Sequence, residues 1–389
     1  MLYRKFGKAD EMVSILGFGC MRLPVIPGGA MCDIDEEKAI KLIRHAIDEG
    51  VNYIDTAYPY HGTGFETGGN SELLVAKALK DGYRKKVKVA TKLPTWLVNT
   101  QEDFDRYLNE QLERLETDCI DFYLVHTIKS QLWSVLKEIR INDCLDRAIK
   151  DGRIKYAGFS YHDKLPLFKE VVDYYNWSFC LMQYNYMDDK YQAGTEGLKY
   201  ASERGLGIVV MEPLRGGKLA GNVPEEVKDI INQASVKRTP ADLALKWVWN
   251  HPEVSLLLSG MNSMEQLEEN LKSANEGEAN SLTAEDLNTV EKVKTVFNKK
   301  IKVNCTGCEY CMPCPAGVDI STCFTMYNNY HIYGREFAAV ASKIDTYYML
   351  VPPEHRPSNC VECGRCETHC PQGISIVEEL RKVNAVFNK

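Results

Sequence analysis

Between residues 14 and 260 the chain alternates, eight times over, a short apolar run with a longer segment of helical spacing. No other feature of the sequence restricts the fold as strongly. The apolar runs cover 14–19, 52–56, 87–92, 121–126, 156–160, 179–185, 207–213 and 254–260. Helical spacing covers 36–49, 71–80, 104–116, 133–150, 164–175, 194–204, 241–250 and 264–273. Gly50, Gly82, Gly152 and Gly205 fall just past four of these segments, where a left-handed residue ends a helix. The runs lack the strict alternation of a half-exposed strand, as expected when both faces of a parallel sheet are covered. Eight strand-then-helix units in this length predict a (β/α)8 TIM barrel. A doubly wound sheet is the competitor. It would want G-x-G-x-x-G after the first strand, but residues 14–19 offer only Gly17 and Gly19 and run into Cys20-Met21-Arg22.

The cysteines divide the chain. Nine of the fourteen fall between Cys305 and Cys370, and the other five (Cys20, Cys32, Cys119, Cys144, Cys180) lie singly in the first 180 residues. Clustering of this kind, in a chain expected to be cytoplasmic, argues for metal ligation over disulfides. Residues 1–275 are thus expected to form the barrel, 276–304 a linker with one further helix over 284–297, and 305–389 a small iron–sulfur domain. Cys360-x-x-Cys363-x-x-Cys366-x-x-x-Cys370-Pro371 has the spacing of a bacterial ferredoxin cluster motif. Cys305-x-x-Cys308-x-x-Cys311-x-x-Cys314-Pro315 differs by one residue before its last cysteine. The two runs resemble the halves of a two-cluster ferredoxin. That likeness implies one [4Fe–4S] cluster on Cys305, Cys308, Cys311 and Cys370, and another on Cys360, Cys363, Cys366 and Cys314. Zinc is the alternative, since paired C-x-x-C also makes tetrahedral sites. Cys323 fits neither pattern and is expected to be packing.

Charge and hydropathy remove other classes. Lysine and arginine number 47 against 54 acids, a net charge of −7, whereas a protein that binds nucleic acid through its overall field is usually basic. No apolar run reaches the length of a membrane span, and Asp10 and Glu11 interrupt the N-terminus before any signal-like stretch. The expectation is a cytoplasmic protein with no nucleic-acid and no membrane partner.

In a barrel, polar residues at the C-terminal ends of strands are the active-site candidates. Here they are Asp55, Lys92, His126, Ser160, Gln183, Asn185 and Glu212. A lysine ending a buried strand is costly unless paired, and Asp55 is its natural partner. Tyr60 follows Asp55 in the next loop. An ammonium beside a phenol favours phenolate, which would lower the Tyr60 pKa and make it a usable general acid. His126 would then donate a hydrogen bond to a carbonyl oxygen as charge develops there.

Residues 1 to about 275 resemble the aldo-keto reductase family. The likeness rests on Leu16-Gly17-Phe18-Gly19, Ile54-Asp55-Thr56-Ala57 with Tyr60, Ala90-Thr91-Lys92, Leu124-Val125-His126, Gly158-Phe159-Ser160, Gln183-Tyr184-Asn185-Tyr186, Glu212-Pro213-Leu214 and Gln266-Leu267-Glu268-Glu269-Asn270. The resemblance implies that Tyr60 is the proton donor, that Asp55 and Lys92 tune it, and that His126 orients the carbonyl. It further implies a nicotinamide cofactor, NADP or NAD, whose carboxamide meets Ser160 and Gln183. Leu214 and Gly216 would lie along its pyrophosphate, and Gln266, Glu269 and Asn270 at its adenosine end. The chain departs from the family at Tyr161-His162, where asparagine is common, at Met211, where an aromatic ring is common, and at 259–266, which contains no lysine or arginine to hold a 2′-phosphate.

The function expected is reduction of a small aldehyde or ketone, or the reverse oxidation of an alcohol, linked through iron–sulfur clusters to a redox protein partner. The alternative is an electron-transfer protein of ferredoxin type, with the barrel as a scaffold. Hydride transfer moves two electrons and a cubane passes one, and no flavin motif is recognisable in the sequence.

Overall fold

The computed structural model describes residues 1–389 apart from 30–31, 63–66, 222, 304, 306–310, 333–346, 349–350, 369, 371–372 and 388–389. Eight strands close a parallel barrel: β3 (Leu16–Gly19), β4 (Tyr53–Asp55), β5 (Lys88–Leu93), β6 (Ile120–Ile128), β7 (Ile154–Tyr161), β8 (Phe179–Gln183), β9 (Gly207–Met211) and β10 (Val254–Ser259). Each pairs with its successor, and β10 returns to β3 with Leu257 opposite Leu16. Closure leaves no strand edge to protect. Helices α1 (Glu36–Asp48), α2 (Asn70–Ala78) and α3 (Gln101–Arg114) follow the first three strands. Asp35 caps α1 by accepting from Lys38 N, and Thr100 with Asp103 forms a capping box on α3.

The structure departs from the sequence expectation in three places. Ser14 does not begin the first barrel strand; it ends β2 (Met12–Ser14), which pairs antiparallel with β1 (Tyr3–Lys5) in a hairpin. Three-residue strands carry too little pattern to register as a period. The hairpin delivers Phe6, fully buried, to the barrel interior, with its ring 4.7 Å from Phe122 and 5.3 Å from Phe179. Gly207 is needed there, since a Cβ would stand 3.0 Å from the Phe6 ring. Arg4 stitches this end by donating to the carbonyls of Trp249 and Val254, both at 2.7 Å.

The second departure is the single helix expected over 133–150. Two helices stand there, α4 (Ser130–Glu138) and α5 (Ile141–Lys150), separated by Arg140 at φ 55. The buried positions explain the break. Trp133 and Leu136 would continue at 140, but the next buried residues are Ile141, Cys144, Leu145 and Ala148. The stripe slips by one residue, and a break restores it to the core. Helices α6 (Leu165–Tyr174) and α7 (Gly194–Glu203) fall close to their expected spans. The third departure is α8 (Glu225–Gln233), which was not anticipated; α9 (Pro240–Trp249) and α10 (Met264–Ala274) were.

By contacts the chain divides into Met1–Leu219 with Ala241–Ala284, which is the barrel, and Ala220–Pro240 with Glu285–Lys389. The second unit contains α8, α11 (Ala284–Lys300, from its second residue), α12 (Ile320–Ile332), a short helix α13 (Arg365–Thr368) and α14 (Ile376–Phe387). Its core gathers Val303, Val318, Phe324, Val351, Leu380 and Phe387, with the Tyr347 and Phe387 rings stacked at 4.1 Å. Asn328 on α12 accepts from the amides of Lys302 and Val303, both at 2.9 Å, and so pins the strand of chain that leads into Cys305. Among the described residues no helix is long and apolar enough to cross a membrane.

Truncating Phe6 to alanine removes the plug from a packed interior. The expected loss is about 3–5 kcal/mol of unfolding free energy, read from the denaturant midpoint with the slope unchanged.

Candidate active site and cluster site

The strand ends bring three charged or polar groups to one mouth of the barrel, because β4, β5 and β6 are consecutive staves in register. Asp55 lies opposite Ala90, and Lys92 opposite Leu124. Along β5 the side chains alternate, so Thr91 faces the helix layer while Lys92 faces inward. Lys92 is fully buried. Its ammonium donates to Asp55 Oδ1 at 2.6 Å, to the Thr56 carbonyl at 2.7 Å and to the Tyr60 hydroxyl at 3.2 Å. Three donors meet three acceptors, which is what an ammonium in such a place requires. Burial works to neutralise the amine, but Asp55 and Tyr60 outweigh it and hold Lys92 as an ammonium above its ordinary range.

Tyr60 corrects one expectation. Lys92 does pull its phenol down, yet burial is the larger effect and Asp55 adds to it, so the Tyr60 pKa stands above the ordinary tyrosine value. The side chain is therefore a phenol that already accepts a hydrogen bond from Lys92, and it gives up its proton only to a strongly basic oxygen. His126 is 8 % exposed. Burial first and the charge of Lys92 second keep it well below the usual histidine range, hence neutral. Its Nδ1 is buried with no hydrogen-bond partner among the described residues. The ring lies 6.3 Å from that of Tyr60 and 5.4 Å from that of Trp96.

Tyr60, Lys92, His126 and Ser160 line one cavity of about 550 Å3. Met211, named for its place against a nicotinamide, lines it too. Ser160 Oγ accepts from Thr127 N at 2.6 Å, so part of its capacity is already used. The remaining residues suggested for a cofactor lie elsewhere. Gln183 donates to Asp188 at 2.9 Å, as does Asn185. Leu214 and Gly216 belong to the turn after β9, where Gly216 and Gly217 take φ of 66 and 86. On α10, Gln266 accepts from Asn262 N at 3.1 Å, Glu269 is half-buried, and buried Asn270 donates to Ser259 Oγ at 2.8 Å.

Besides Trp96, the cavity also holds residues the sequence did not single out for the site: Met21, His61, Thr127 and His162. Of these only His162 had a signal, since it follows Ser160 by two and so shares its face of the strand end. Glu212, a strand-end candidate, lines the cavity and pairs with Arg22 at 3.1 Å.

In the second unit Cys314, Cys360, Cys363 and Cys366 line one small pocket of about 10 Å3, together with Ile320 and Leu380. This is the interleaved set implied by the ferredoxin likeness, three sulfurs from one run and one from the other. Burial raises the Cys366 thiol, and the Glu367 carboxylate, followed by the sulfurs of Cys360 and Cys314, adds to it. Among the described residues no three His, Cys, Asp or Glu side chains converge to hold a single metal ion. Four cysteine sulfurs are donors that iron–sulfur clusters and zinc both accept, and their spacing along the chain is that of a ferredoxin motif. Of the other set, Cys305, Cys311 and Cys370 pack half-buried against the same core, while Cys308 lies outside the described residues. Cys323 is buried, donates to the His355 carbonyl at 3.7 Å, and has a thiol pushed up to about 12 by burial.

Two family models match parts of the chain. Residues 16–295 match the model of the aldo/keto reductase family, and residues 304–374 match that of a 4Fe-4S dicluster domain. A probable aldo-keto reductase of Glycine max is 28% identical over 312 residues, covering 69% of this chain and 82% of its own. An uncharacterized oxidoreductase of Bacillus subtilis (strain 168), YrpG, is 26% identical over 311 residues, covering 70% and 90%. Among solved structures, the holo form of an aldo-keto reductase from Bacillus halodurans aligns with a TM-score of 0.61 and 27% identity, covering 75% of this chain and 96% of that one.

Two cavity histidines held neutral make stability depend on pH. In the unfolded chain each takes up a proton near pH 6.5, whereas folded His162 does so only near 4 and folded His126 is likewise held well below 6.5. Their contribution is whole above pH 6.5 and is lost as pH falls toward 4, by about 1.4 kcal/mol per unit for each ring. His162→Asn should flatten that decline, measured as denaturant midpoints from pH 7 to pH 4.5.

Proposed function

The chain belongs to the aldo/keto reductase family and carries a 4Fe-4S dicluster domain at its C-terminus, and from that premise we propose that it is a nicotinamide-dependent carbonyl oxidoreductase coupled to a redox protein partner. The observation that carries the proposal is the buried Asp55–Lys92–Tyr60 contact opening into the same cavity as neutral His126.

The cavity has room for a nicotinamide ring beside a small aldehyde or ketone, and the turn at Gly216 and Gly217, with both φ positive, is a type of backbone that can cradle a phosphate. A bound nicotinamide would supply the hydride. Everything else is done by the chain. His126, neutral, donates to the carbonyl oxygen and orients it. Tyr60 delivers its proton to that oxygen once negative charge develops there, and Lys92, fixed as an ammonium, stabilises the phenolate left behind. Asp55 holds Lys92 in place and charged. Trp96, Met21 and Met211 exclude water from the reacting centre. In this reading Ser160 and Gln183 hold the carboxamide, Leu214 and Gly216 follow the pyrophosphate, and Gln266, Glu269 and Asn270 meet the adenosine. Glu265 stands at the start of α10 as a carboxylate stabilised by its own amide and by Ser263. A 2′-phosphate would meet that negative charge, so NAD is favoured over NADP.

Iron–sulfur clusters would supply one-electron transfer at the second unit, held by Cys314, Cys360, Cys363 and Cys366 and by Cys305, Cys308, Cys311 and Cys370. The two-to-one conversion would fall to a flavin-type carrier on the partner, which takes the hydride pair from the nicotinamide and exchanges its electrons one at a time with the clusters. Cysteines reserved for cluster ligation would suit the reducing cytoplasm.

Tyr60→Phe should lower carbonyl turnover on the order of a thousandfold while nucleotide affinity and cluster absorbance stay as in the parent. The same titrations should show NADH binding more tightly than NADPH. Turnover that survives the substitution, with clusters intact, would instead favour the barrel as a scaffold. Anaerobically purified chain should contain two cubanes of iron and sulfide, and Cys363→Ser should remove one of them with the barrel still folded.

A further inference from the structure

Behind the active site, in the layer between barrel and helices, lies a buried polar cluster that the chemistry above does not use. Glu72 on α2 is fully enclosed. Its Oε1 accepts from Thr91 Oγ1 at 2.6 Å and from Gln111 Nε2 at 2.7 Å, and its Oε2 accepts from Arg114 Nε at 2.8 Å. Gln111 and Arg114 sit three apart on α3, which puts both on the face turned toward the barrel. Gln111 Nε2 also donates to the Lys92 carbonyl at 3.1 Å, and its Oε1 accepts from the Tyr123 hydroxyl at 2.8 Å. Arg114 donates in addition to the Gly69 carbonyl.

These contacts grip the two halves of the catalytic pair from outside. On the lysine side, Thr91 is the residue before Lys92, and the Lys92 carbonyl is held directly. On the tyrosine side, the first turn of α2 carries the loop. Ser71 N donates to the Tyr60 carbonyl at 3.2 Å, Asn70 N to the His61 carbonyl at 3.1 Å, and Gly69 N to the Tyr58 carbonyl at 2.7 Å. The packing there admits nothing larger than glycine. A Cβ on Gly69 would stand 2.1 Å from the Tyr60 carbonyl, and one on Gly68 2.8 Å from the Arg114 guanidinium. Glu72 is therefore the anchor of the turn that carries Tyr60, and Gln111 ties that anchor to the strand that carries Lys92.

A buried carboxylate and guanidinium are an expensive way to join two elements. Apolar residues of similar volume often do as well or better for stability, so such a cluster suits a demand for geometry. The demand on the page is the 3.2 Å contact between Lys92 and Tyr60, made by residues on two different strand-loop units. We propose that Glu72, Gln111 and Arg114 are positioning residues which set the Lys92–Tyr60 contact. The proposal rests on the catalytic reading of Tyr60, and its test is arranged so that the two can fail separately.

Two variants of the full chain serve. Gln111→Met keeps volume and loses the bond to the Lys92 carbonyl. Arg114→Lys keeps the charge opposite Glu72 but loses the fork that reaches Gly69, so it remains informative if the first fails to fold. Each is read by nucleotide affinity, by kcat and KM for an aldehyde, and by the Tyr60 Cζ resonance in tyrosine-labelled protein, assigned by its absence from Tyr60→Phe. The expected result is a kcat lower on the order of tenfold, with nucleotide affinity within about twofold of the parent. The Tyr60 resonance should move by more than the spread of the other tyrosines, and adding Gln111→Met to Tyr60→Phe should cost nothing further. A lowered melting temperature with unchanged kcat and an unmoved Tyr60 resonance overturns the proposal. If the parent reduces no carbonyl, the catalytic reading fails, and the Tyr60 resonance alone still decides whether the cluster positions it.

Discussion

A lysine ammonium sealed inside a barrel is tolerable on one condition, that every proton finds an acceptor. That condition organises the mouth of this barrel. Lys92 meets it with Asp55, the Thr56 carbonyl and the Tyr60 hydroxyl, and each partner comes from β4 or the loop that follows it. The register of β4 against β5 is therefore part of the chemistry: a slip of one residue would turn Lys92 out to the helix layer and leave Asp55 as a buried, uncompensated carboxylate. The same charge reaches further, since it helps keep His126 neutral and opposes the burial that raises the Tyr60 pKa.

The two units solve the problem of stability differently. The barrel closes its hydrogen-bonded edges and fills its interior with Phe6, Tyr53, Phe122 and Phe179, so shape and apolar volume hold it. The second unit has a smaller core and sets half-buried sulfurs against it, including Cys314, Cys360 and Cys366. Small units of this kind commonly draw folding energy from bound inorganic centres.

Much of this was legible in advance, for reasons that differ by residue. The eight strands and most helices announce themselves because a doubly covered strand must be apolar and a helix under it must be amphipathic. Asp55, Lys92 and His126 could be picked out because charged or polar side chains at the ends of buried strands contradict their surroundings. The cysteine spacing was legible because ligands of one centre on a short loop can only be spaced so far apart. By contrast, the Phe6 hairpin has strands too short to show a period, and the break at Arg140 depends on a one-residue slip that only packing enforces. The direction of the Tyr60 pKa depended on weighing burial against a neighbouring charge, and burial is a property of the fold.

The sequence by itself determined the barrel, the second unit's cysteine framework and the identity of the groups at the strand ends, because periodicity, spacing and chemical type are local properties that survive without coordinates. Only the tertiary structure decided which of those groups meet. It joined Ser160 to the Tyr60 cavity and left Gln183 with Asp188, brought Cys314 across to Cys360, Cys363 and Cys366, and gathered Glu72, Gln111 and Arg114 from two helices behind Lys92. The physical reason is that distances between residues far apart in the chain are set by the closure of the sheet and the packing of helices on it, and no local pattern encodes them.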